Sequence, residues 1–368
     1  MLLRQIQLAN FKNYINQTIT PGIGFTCFVG LNGMGKTNVL DAIYFLCTTK
    51  SKFSILDKQI VQQGSDYFRI EGTFEKNQET SKIVSKYKNG GKKIFEKDDI
   101  PYRKLAEHIG HFPVVFITPD DTQLVTGGSE ERRKLIDQTI SQLDQQYLSN
   151  LMVYEKLLKQ RNSLLKRIDI NDSEKNNLLK IYDHQMEIPA VYLHQKREKF
   201  TLQIWDSYQK INEVLSNNQE TPSIQYTSPL YQMEFLKLME VNRKKDLILQ
   251  RSSIGPHRDD LLFSMEDQPI KKFGSQGQLK TFILSLKFAQ YEVIRTTQKE
   301  KPLLLLDDIF DKLDHNRVRN LITFLGDRNI GQVFITDTDE KRVDSVLKFT
   351  SQESVKYQIN KGKASQIN

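Results

Sequence analysis

The sequence predicts an α/β fold in which a mixed sheet, with an antiparallel β region, is interrupted by a mostly helical insertion. Three observations predict it. Residues 1–120 are rich in apolar residues that alternate with polar ones, as in half-buried strands. Residues 129–250 carry apolar residues at helical spacing. The last third alternates helical and strand patterns, which is typical of parallel strands joined by crossover helices.

The N-terminal segment predicts an antiparallel sheet. In chain order, strand patterns occur at residues 6–8, 15–20, 25–29 and 67–74. The stretch KIVSKYKNGGKKIFEK follows them and has turn residues, Asn89-Gly90-Gly91, between two apolar runs. Turn residues between strand-like runs are typical of a β-hairpin, so we expect one here.

The middle of the chain predicts long helices. Ser129 is followed by acidic residues, as at a helix start. An apolar stripe at helical spacing comes next: Leu151, Tyr154, Leu158 and Leu165. Further helical patterns cover residues 173–216 and 231–250. The last third then predicts a strand near Leu261, helices over 277–295 and 316–325, and strands over 303–306 and 333–335.

The charge balance favours a polyanionic partner. Lys and Arg number 53 against 45 Asp and Glu, which gives a net charge of +8. Charge alone leaves both nucleic acid and anionic lipid open. No segment approaches the roughly 20 apolar residues of a membrane span, and the N-terminus lacks a signal-peptide pattern. We therefore expect a cytoplasmic protein without a membrane partner, in which Cys27 and Cys47 are core residues.

A glycine-rich loop lies between the strand pattern at 25–29 and an amphipathic helix pattern. It fits G-x-x-x-x-G-K-[ST] in full: Gly30, Leu31, Asn32, Gly33, Met34, Gly35, Lys36 and Thr37. In such a P-loop, backbone N–H groups surround phosphates, the lysine neutralises the β and γ charges, and the hydroxyl contacts Mg²⁺. The alternative is a structural glycine-rich turn. The flanking strand and helix favour a phosphate site.

An apolar strand pattern that ends in carboxylates supplies the expected second part of a nucleotide site. The run is LLLLDD, and its acids would emerge at the carboxyl end of a buried parallel strand, where ligands bind in open α/β sheets. We assign Asp307 to the Mg²⁺ shell and Asp308 to orienting the attacking water. The alternative is that both acids cap a helix or solvate a strand end. No N-K-x-D motif reads a guanine base, so we expect ATP.

A third motif, GSQGQ, precedes a strongly apolar helix pattern. Its amides and the Ser275 hydroxyl would form a second anion-binding helix start. Two such surfaces in one chain fit a closed, symmetric pair of protomers that encloses two ATP molecules. The sequence therefore predicts a homodimer that forms when ATP is bound.

Six strings together resemble the RecF family of ABC-type ATPases, the recombination mediators of bacterial DNA repair, over nearly the whole chain. They are ANFKNY, GLNGMGKTN, PDDTQLVTGGSEERRKLID, GPHRDD, GSQGQ and LLLLDDIFDKLD. The resemblance implies an ABC-ATPase head, lobe I, built from residues 1–120 and 255–368, and an inserted helical lobe, lobe II, at 121–254. It also implies ATP and Mg²⁺ as cofactors and an ATP-dependent dimer on gapped or junction DNA. Family members act with RecO and RecR to load RecA.

The resemblance also assigns roles by position. The loop through Asn38 holds the phosphates, Lys36 and Asp308 serve catalysis, and Thr37 and Asp307 serve the metal. Ser275 and Gly277 contact the partner protomer's ATP. Lys12 and Asn13 resemble a basic and polar pair that approaches the nucleotide in related heads. No switch histidine is present at residues 336–338. Asp308 is shorter than the glutamate of transporters, so slow turnover is expected. The resemblance implies a weak, DNA-dependent ATPase.

Residues that contact DNA are less defined. Two basic clusters are candidates: Lys156, Lys159, Arg161, Lys166 and Arg167 on a helix, and Lys82, Lys86, Lys88, Lys92 and Lys93 on the hairpin. The alternative for each is a solvated face. In GPHRDD, His257 and Arg258 form either a catalytic dyad or a structural turn with buried ion pairs, and we favour the turn.

Three other protein classes share parts of these motifs. A structural-maintenance or Rad50-like head would carry long coiled-coil arms, whereas only about half of the interval between Thr37 and Gly274 is predicted helical. A nuclease of the overcoming-lysogenization type would need a further domain, and too few residues follow Asp314 for one. The ATPase subunit of a transporter would have a shorter insertion.

Overall fold

A computed structural model describes residues 1–167, 173–216, 220–310, 330–350 and 352–367. The chain divides into two compact units. The first comprises Met1–Asp121, Lys210–Asn218 and Leu284–Asn368, and the second comprises Thr122–Gln209 and Gln219–Ile283. The first boundary lies one residue from the expected one, whereas residues 255–283 group with the second unit. The assignment of a head and an inserted lobe stays a prediction.

Fifteen strands are present in the described residues. In chain order they are β1 (Leu2–Phe11), β2 (Tyr14–Ile19), β3 (Phe25–Val29), β4 (Tyr67–Lys76), β5 (Glu79–Lys88), β6 (Ile94–Lys97), β7 (Ile100–Pro101), β8 (Val114–Ile117), β9 (Pro222–Thr227), β10 (Asp260–Met265), β11 (Gln268–Pro269), β12 (Leu303–Asp307), β13 (Val333–Asp337), β14 (Ser354–Asn360) and β15 (Lys363–Ile367).

The α-helices of the described residues follow the predicted pattern closely. They are α1 (Lys36–Thr48), α2 (Gln123–Thr126), α3 (Ser129–Leu143), α4 (Gln145–Leu165), α5 (Ser173–Ser216), α6 (Phe235–Leu249), α7 (Ile270–Phe273), α8 (Gln276–Gln298) and α9 (Glu340–Leu347). The predicted starts at Ser129 and residue 173 are confirmed. The helix predicted over 316–325 lies outside the described residues. No helix in the described parts of the chain combines the length and apolar character that a membrane crossing requires.

A six-stranded sheet in the first unit positions the nucleotide motifs. Its order is β15-β14-β3-β13-β12-β8, and only β15 runs antiparallel to its neighbour. Every residue of β3, β8, β12 and β13 is buried, as expected for parallel strands covered on both faces. Because parallel strands end at one edge, the segments that follow β3, β12 and β13 emerge together.

A second sheet of the first unit is antiparallel and has the order β2-β1-β4-β5-β6-β7. The predicted hairpin is confirmed, since β5 pairs with β6 across the Asn89-Gly90-Gly91 turn. Its core includes Phe68, which packs edge-on against Phe11 and against Phe45 of α1 at ring-centroid distances of 6.1 and 5.7 Å. The P-loop helix is thereby held against this sheet.

The second unit is mostly helical and has a small antiparallel sheet of order β11-β10-β9. One of its buried ion clusters joins α4, α5 and α6. The guanidinium of Arg161 on α4 donates to Asp183 of α5 and to Asp246 of α6, each at 2.7 Å, and its side chain is 0% exposed. Assigning Arg161 to a basic surface cluster was therefore wrong, because this arginine is buried and pairs with two carboxylates.

Candidate nucleotide site

The P-loop takes a backbone conformation that its glycines permit. Gly30 has φ 151° and Gly35 has φ 114°. A Cβ at Gly30 would lie 2.4 Å from the Ile359 carbonyl oxygen, and one at Gly35 would lie 2.4 Å from Asn13 Nδ2. A side chain at Gly30 would require β14 to shift, and one at Gly35 would require the Asn13 amide to move. The loop therefore leaves β3 and enters α1 in a tight turn, as the motif predicts.

Lys36 places its ammonium inside this loop. Its side chain belongs to the first turn of α1, and the residue is only 5% exposed. Nζ donates to the carbonyl oxygens of Gly30 at 2.8 Å and Leu31 at 3.2 Å. The hydrogen bonds of this buried ammonium within the described residues go to neutral carbonyl oxygens, so a phosphate oxygen would supply additional negative charge.

Thr37 and Thr336 both donate hydrogen bonds to one oxygen of Asp307. Thr37 Oγ1 lies 2.8 Å and Thr336 Oγ1 lies 2.7 Å from Asp307 Oδ1. The two threonines come from the start of α1 and from β13, and Asp307 is paired with Thr336 in the sheet. Burial raises the pKa of Asp307, and the two hydroxyl donors oppose this shift. The carboxylate is thus held beside the P-loop in a desolvated position.

Asp308 follows directly and has a constrained backbone. Its φ is 46°, in the left-handed region that non-glycine residues rarely adopt. Its N–H donates to Thr336 Oγ1 at 3.0 Å, so the same threonine fixes both acids. The chain turns sharply at the end of β12. Two adjacent acids are thereby presented differently: Asp307 is buried and Asp308 is half-buried.

The oxygen atoms at Thr37 and Asp307 suit a hard cation that also binds phosphate. Mg²⁺ is usually held by one or two carboxylates together with substrate phosphates and water, rather than by a cage of protein ligands. The described residues contain no group of three or more His, Cys, Asp and Glu that could hold a metal ion. A threonine hydroxyl and a buried carboxylate, already in contact, fit such a partial site.

Lys12 and Asn13 brace the nucleotide motif from the segment after β1. Asn13 Nδ2 donates to the Met34 carbonyl oxygen at 2.8 Å, and its Oδ1 accepts from Asn38 Nδ2 at 2.8 Å. Lys12 Nζ lies 2.6 Å from the carboxylate of Asp41 on α1. Both residues therefore touch the P-loop or its helix. Their contact with a nucleotide stays a prediction.

The GSQGQ segment caps the start of α8. Ser275 Oγ accepts from Gln278 N–H at 3.2 Å, and Gln278 Oε1 accepts from Ser275 N–H at 2.8 Å. This reciprocal pair is a capping box, which fixes the first turn of the helix. Ser275 is exposed and Gly277 is half-buried. The segment belongs to the second compact unit, whereas the residues described above belong to the first.

Comparison with known proteins identifies the family. The family model for the RecF/RecN/SMC N terminal domain matches residues 2–361. A DNA replication and repair protein RecF from Flavobacterium johnsoniae is 41% identical over 352 residues, covering 96% of this chain and 98% of the relative. The chain belongs to the RecF family. The RecF of Cytophaga hutchinsonii is 39% identical, covering 100% of this chain and 97% of its own length.

Solved structures agree with this assignment. The recombination mediator protein RecF-ATP of the RecFOR pathway has a TM-score of 0.88 and 28% identity, and the match covers 100% of this chain and 97% of that one. An SMC head bound to the C-winged helix domain of ScpA has a TM-score of 0.59 at 16% identity, which shows a shared fold only. The predicted ABC-ATPase head fold and the resemblance to the RecF family are therefore confirmed.

The GPHRDD segment of this RecF family member makes structural contacts. Both ring nitrogens of His257 are engaged, Nδ1 with the Tyr154 hydroxyl at 2.7 Å and Nε2 with the Ser252 carbonyl oxygen at 3.1 Å. Burial lowers the pKa of His257 to about 4, which keeps the ring neutral. Asp259 is buried and accepts from Arg197 at 2.9 Å. These contacts favour the structural turn over a catalytic dyad.

The sequence predicted the P-loop and the two acids Asp307 and Asp308, but it did not predict the residues that hydrogen-bond to them. Thr336 joins Asp307 to β13, and the hydroxyl of Tyr14 donates to the Gly35 carbonyl oxygen at 3.0 Å. A signal for Thr336 was present, because a hydroxyl residue ends the strand pattern that follows LLLLDD. Its role depends on strand register, which the sequence does not specify. Tyr14 carried no recognisable signal.

Proposed function

We propose that this RecF family member is an ATP-dependent DNA-binding recombination mediator that acts in DNA repair and replication. The contact between Thr37 and Asp307, at 2.8 Å, is the observation that carries the proposal. It joins the P-loop helix to the acidic end of β12 in the arrangement that a Mg²⁺–ATP site requires. The ATP named with the structural neighbour supports the choice of nucleotide.

ATP binding is assigned to the loop from Gly30 to Asn38. The backbone N–H groups of the loop and the N-terminal end of α1 would surround the phosphates. The Lys36 ammonium would exchange its carbonyl partners for phosphate oxygens. Thr37 and Asp307 would hold Mg²⁺, which when bound neutralises charge on the phosphates. A cation at this position would also keep Asp307 ionised despite its burial.

Hydrolysis is assigned to Asp308, which would orient the attacking water. Its backbone is fixed through Thr336, so the direction of its side chain is constrained. An aspartate side chain is one methylene shorter than glutamate and reaches the water less well. Slow turnover, toward the low end of the usual kcat range, follows from that reach. The ATPase would then serve as a switch that DNA stimulates.

Dimerisation is assigned to the GSQGQ segment. Ser275 and Gly277 of one protomer would contact the γ-phosphate of ATP held by the other. Support comes from the capping box, which fixes the exposed Ser275 at the start of a long helix whose N-terminal end attracts anions. Hydrolysis would remove the γ-phosphate contacts and release both the partner and DNA.

The proposed partners are gapped or junction DNA, RecO and RecR, with a functional link to RecA. The net charge of +8 supports DNA binding. The structural neighbour belongs to the RecFOR pathway, which supports the choice of protein partners. A DNA partner would place the protein in the bacterial cytoplasm with the nucleoid.

The alternative is a scaffold role like that of SMC or Rad50 heads, which is supported by the fold that an SMC head shares with this chain. The level of identity supports the mediator role over it: relatives named RecF reach 41%, whereas the SMC head reaches 16%. A transporter subunit has no comparable support.

An ATP-dependent gel shift on gapped DNA tests the proposal, with light scattering to follow dimer formation. The unchanged protein should bind DNA and dimerise with ATP, whereas Lys36→Arg should do neither. A guanidinium is too large and planar for the site of the Lys36 ammonium. DNA affinity that does not respond to ATP in the unchanged protein would disprove the switch.

A further inference from the structure

The outward face of α4 is strongly basic. Lys156, Lys159 and Lys166 are exposed, as is Ser163 between them. Lys166 follows the last residue of α4 and keeps a helical backbone, with φ −74° and ψ −14°. Separations of three, seven and ten residues from Lys156 place all four side chains on one face, because a helix turns every 3.6 residues.

The opposite face of α4 is buried and fixes its direction. Its buried residues are Tyr147, Tyr154, Arg161 and Leu165. Arg161 is bound by Asp183 and Asp246 at 2.7 Å, and its Nη1 also donates to Ser252 Oγ at 2.8 Å. These contacts hold α4 against α5 and α6. The lysine-bearing face is therefore turned away from the interior of the second unit.

The two basic clusters in the sequence differ in how many of their lysines form ion pairs with carboxylates. On the hairpin, Lys82 pairs with Asp99 at 2.7 Å, and Lys86 pairs with Glu96 at 2.8 Å. Lys88 lies 3.9 Å from Asp66. On α4, none of the three lysines forms an ion pair with another residue in the described parts of the chain. Among the described residues, the lysines of the α4 face are therefore less neutralised than those of the hairpin.

The pattern of this face fits a nucleic-acid backbone better than a protein. Protein interfaces have apolar centres from which charge is depleted. Between Lys156 and Lys166, the exposed residues of α4 are Lys159, Gln160 and Ser163, and Glu155 is the one acidic residue within α4. The lysines span about 15 Å along the helix. That length matches roughly four phosphates of one strand at 3.4 Å each.

We propose that the outward face of α4, through Lys156, Lys159 and Lys166, binds the phosphate backbone of DNA. This inference rests on the proposed DNA-binding function and assigns it a surface. Lysine contacts to phosphate carry no base information, so the face would position DNA without reading its sequence. Ser163 can donate a further hydrogen bond to a phosphate oxygen.

The test compares two triple variants with equal charge change. K156Q/K159Q/K166Q alters the α4 face, and K82Q/K86Q/K88Q alters the hairpin. Affinity for a gapped duplex is measured with ATP at several salt concentrations. Each lost phosphate contact should reduce the slope of log K against log salt by about 0.9. For the α4 variant, the slope of log K against log salt should therefore be smaller in magnitude by about 2.7. The hairpin variant should have the same slope as the unchanged protein.

Different failures have different meanings. A slope and affinity equal to those of the unchanged protein in the α4 variant would overturn the surface alone, and binding of polyglutamate to this face would then indicate an acidic protein partner. A hairpin variant that loses as much slope as the α4 variant would also overturn it. No DNA binding by the unchanged protein would overturn both the surface and the proposed function. Glutamine and lysine have similar helix propensities, so equal thermal midpoints should verify folding.

Discussion

Thr37 Oγ1 donates to Asp307 Oδ1 at 2.8 Å, although the two residues lie 270 positions apart in the chain. Thr37 lies in the first turn of the P-loop helix, and Asp307 ends β12, which is two strands away from β3 in the sheet. The contact forms because β3, β13 and β12 are parallel neighbours whose carboxyl ends lie at the same edge of the sheet. It brings together the hydroxyl and carboxylate oxygens that a magnesium-bound nucleotide requires.

Thr37→Ala should weaken binding of ATP when Mg²⁺ is present and have little effect when it is chelated. The variant loses the hydroxyl expected on the metal, at a cost of about 1–3 kcal/mol, or roughly 5- to 150-fold in affinity. Thr37→Ser keeps the hydroxyl and serves as the control. ATP titrations with and without chelator measure the effect. Equal Mg²⁺ dependence in Thr37→Ala and the unchanged protein would contradict the assignment.

Asp308→Asn should retain ATP binding and accumulate as an ATP-bound dimer. The amide cannot orient or deprotonate water as a carboxylate does, so hydrolysis should fall by about 10²- to 10⁴-fold. Single-turnover hydrolysis and light scattering provide the two measurements. Asp308→Glu is the informative control, since a longer side chain should raise turnover if reach limits it. Hydrolysis at the normal rate in Asp308→Asn would remove this residue from catalysis.

Arg161→Met should destabilise the second unit. It removes the arginine that pairs with both buried carboxylates; Asp183 keeps Arg243 at 3.1 Å, whereas Asp246 loses its ion pair, and breaking a buried pair typically costs about 3–5 kcal/mol. Lys159→Met changes the same helix at an exposed position and should shift stability by no more than about 0.5 kcal/mol. Urea unfolding of both variants gives the comparison. Similar losses in the two variants would show that the buried ion cluster is not the cause.

His108 should make the first unit less stable as the pH falls from 6.5 toward 4. Its Nε2 lies 2.6 Å from the Leu46 carbonyl oxygen, and burial lowers the pKa of the ring to about 4 from an ordinary 6.5. Between these values the unfolded chain takes up a proton that the folded chain does not. The folded state should therefore lose about 2 kcal/mol relative to the unfolded state by pH 5 and be unaffected above pH 7.

His108→Gln isolates this effect, because its amide can still donate to Leu46 but does not titrate. Unfolding free energies of the unchanged protein and the variant are compared at pH 7.5 and pH 5. The difference between them should move by about 2 kcal/mol in favour of the variant at the lower pH. A difference that does not depend on pH would show that the pKa of His108 is the same in the folded and unfolded states.

The sequence by itself determined the local elements and the nucleotide motifs. The P-loop glycines, LLLLDD, the hairpin and the starts of α3 and α5 could be predicted because each depends on neighbours within a few residues. Strands β8, β9, β14 and β15 were not predicted. Short strands carry a weak periodic signal, and the pairing that stabilises β8 and β14 in the parallel sheet comes from distant parts of the chain.

Only the tertiary structure decided which polar residues meet. Thr336 reaches Asp307 through strand register, and the apparent surface arginine, Arg161, is buried between two carboxylates. The sequence showed both α4 and the hairpin as runs of positive charge. Folding pairs the hairpin lysines Lys82 and Lys86 with acids and leaves those on α4 unpaired within the described residues. Periodicity reports which face of an element is buried, but the partner of a charge depends on elements far away in the sequence.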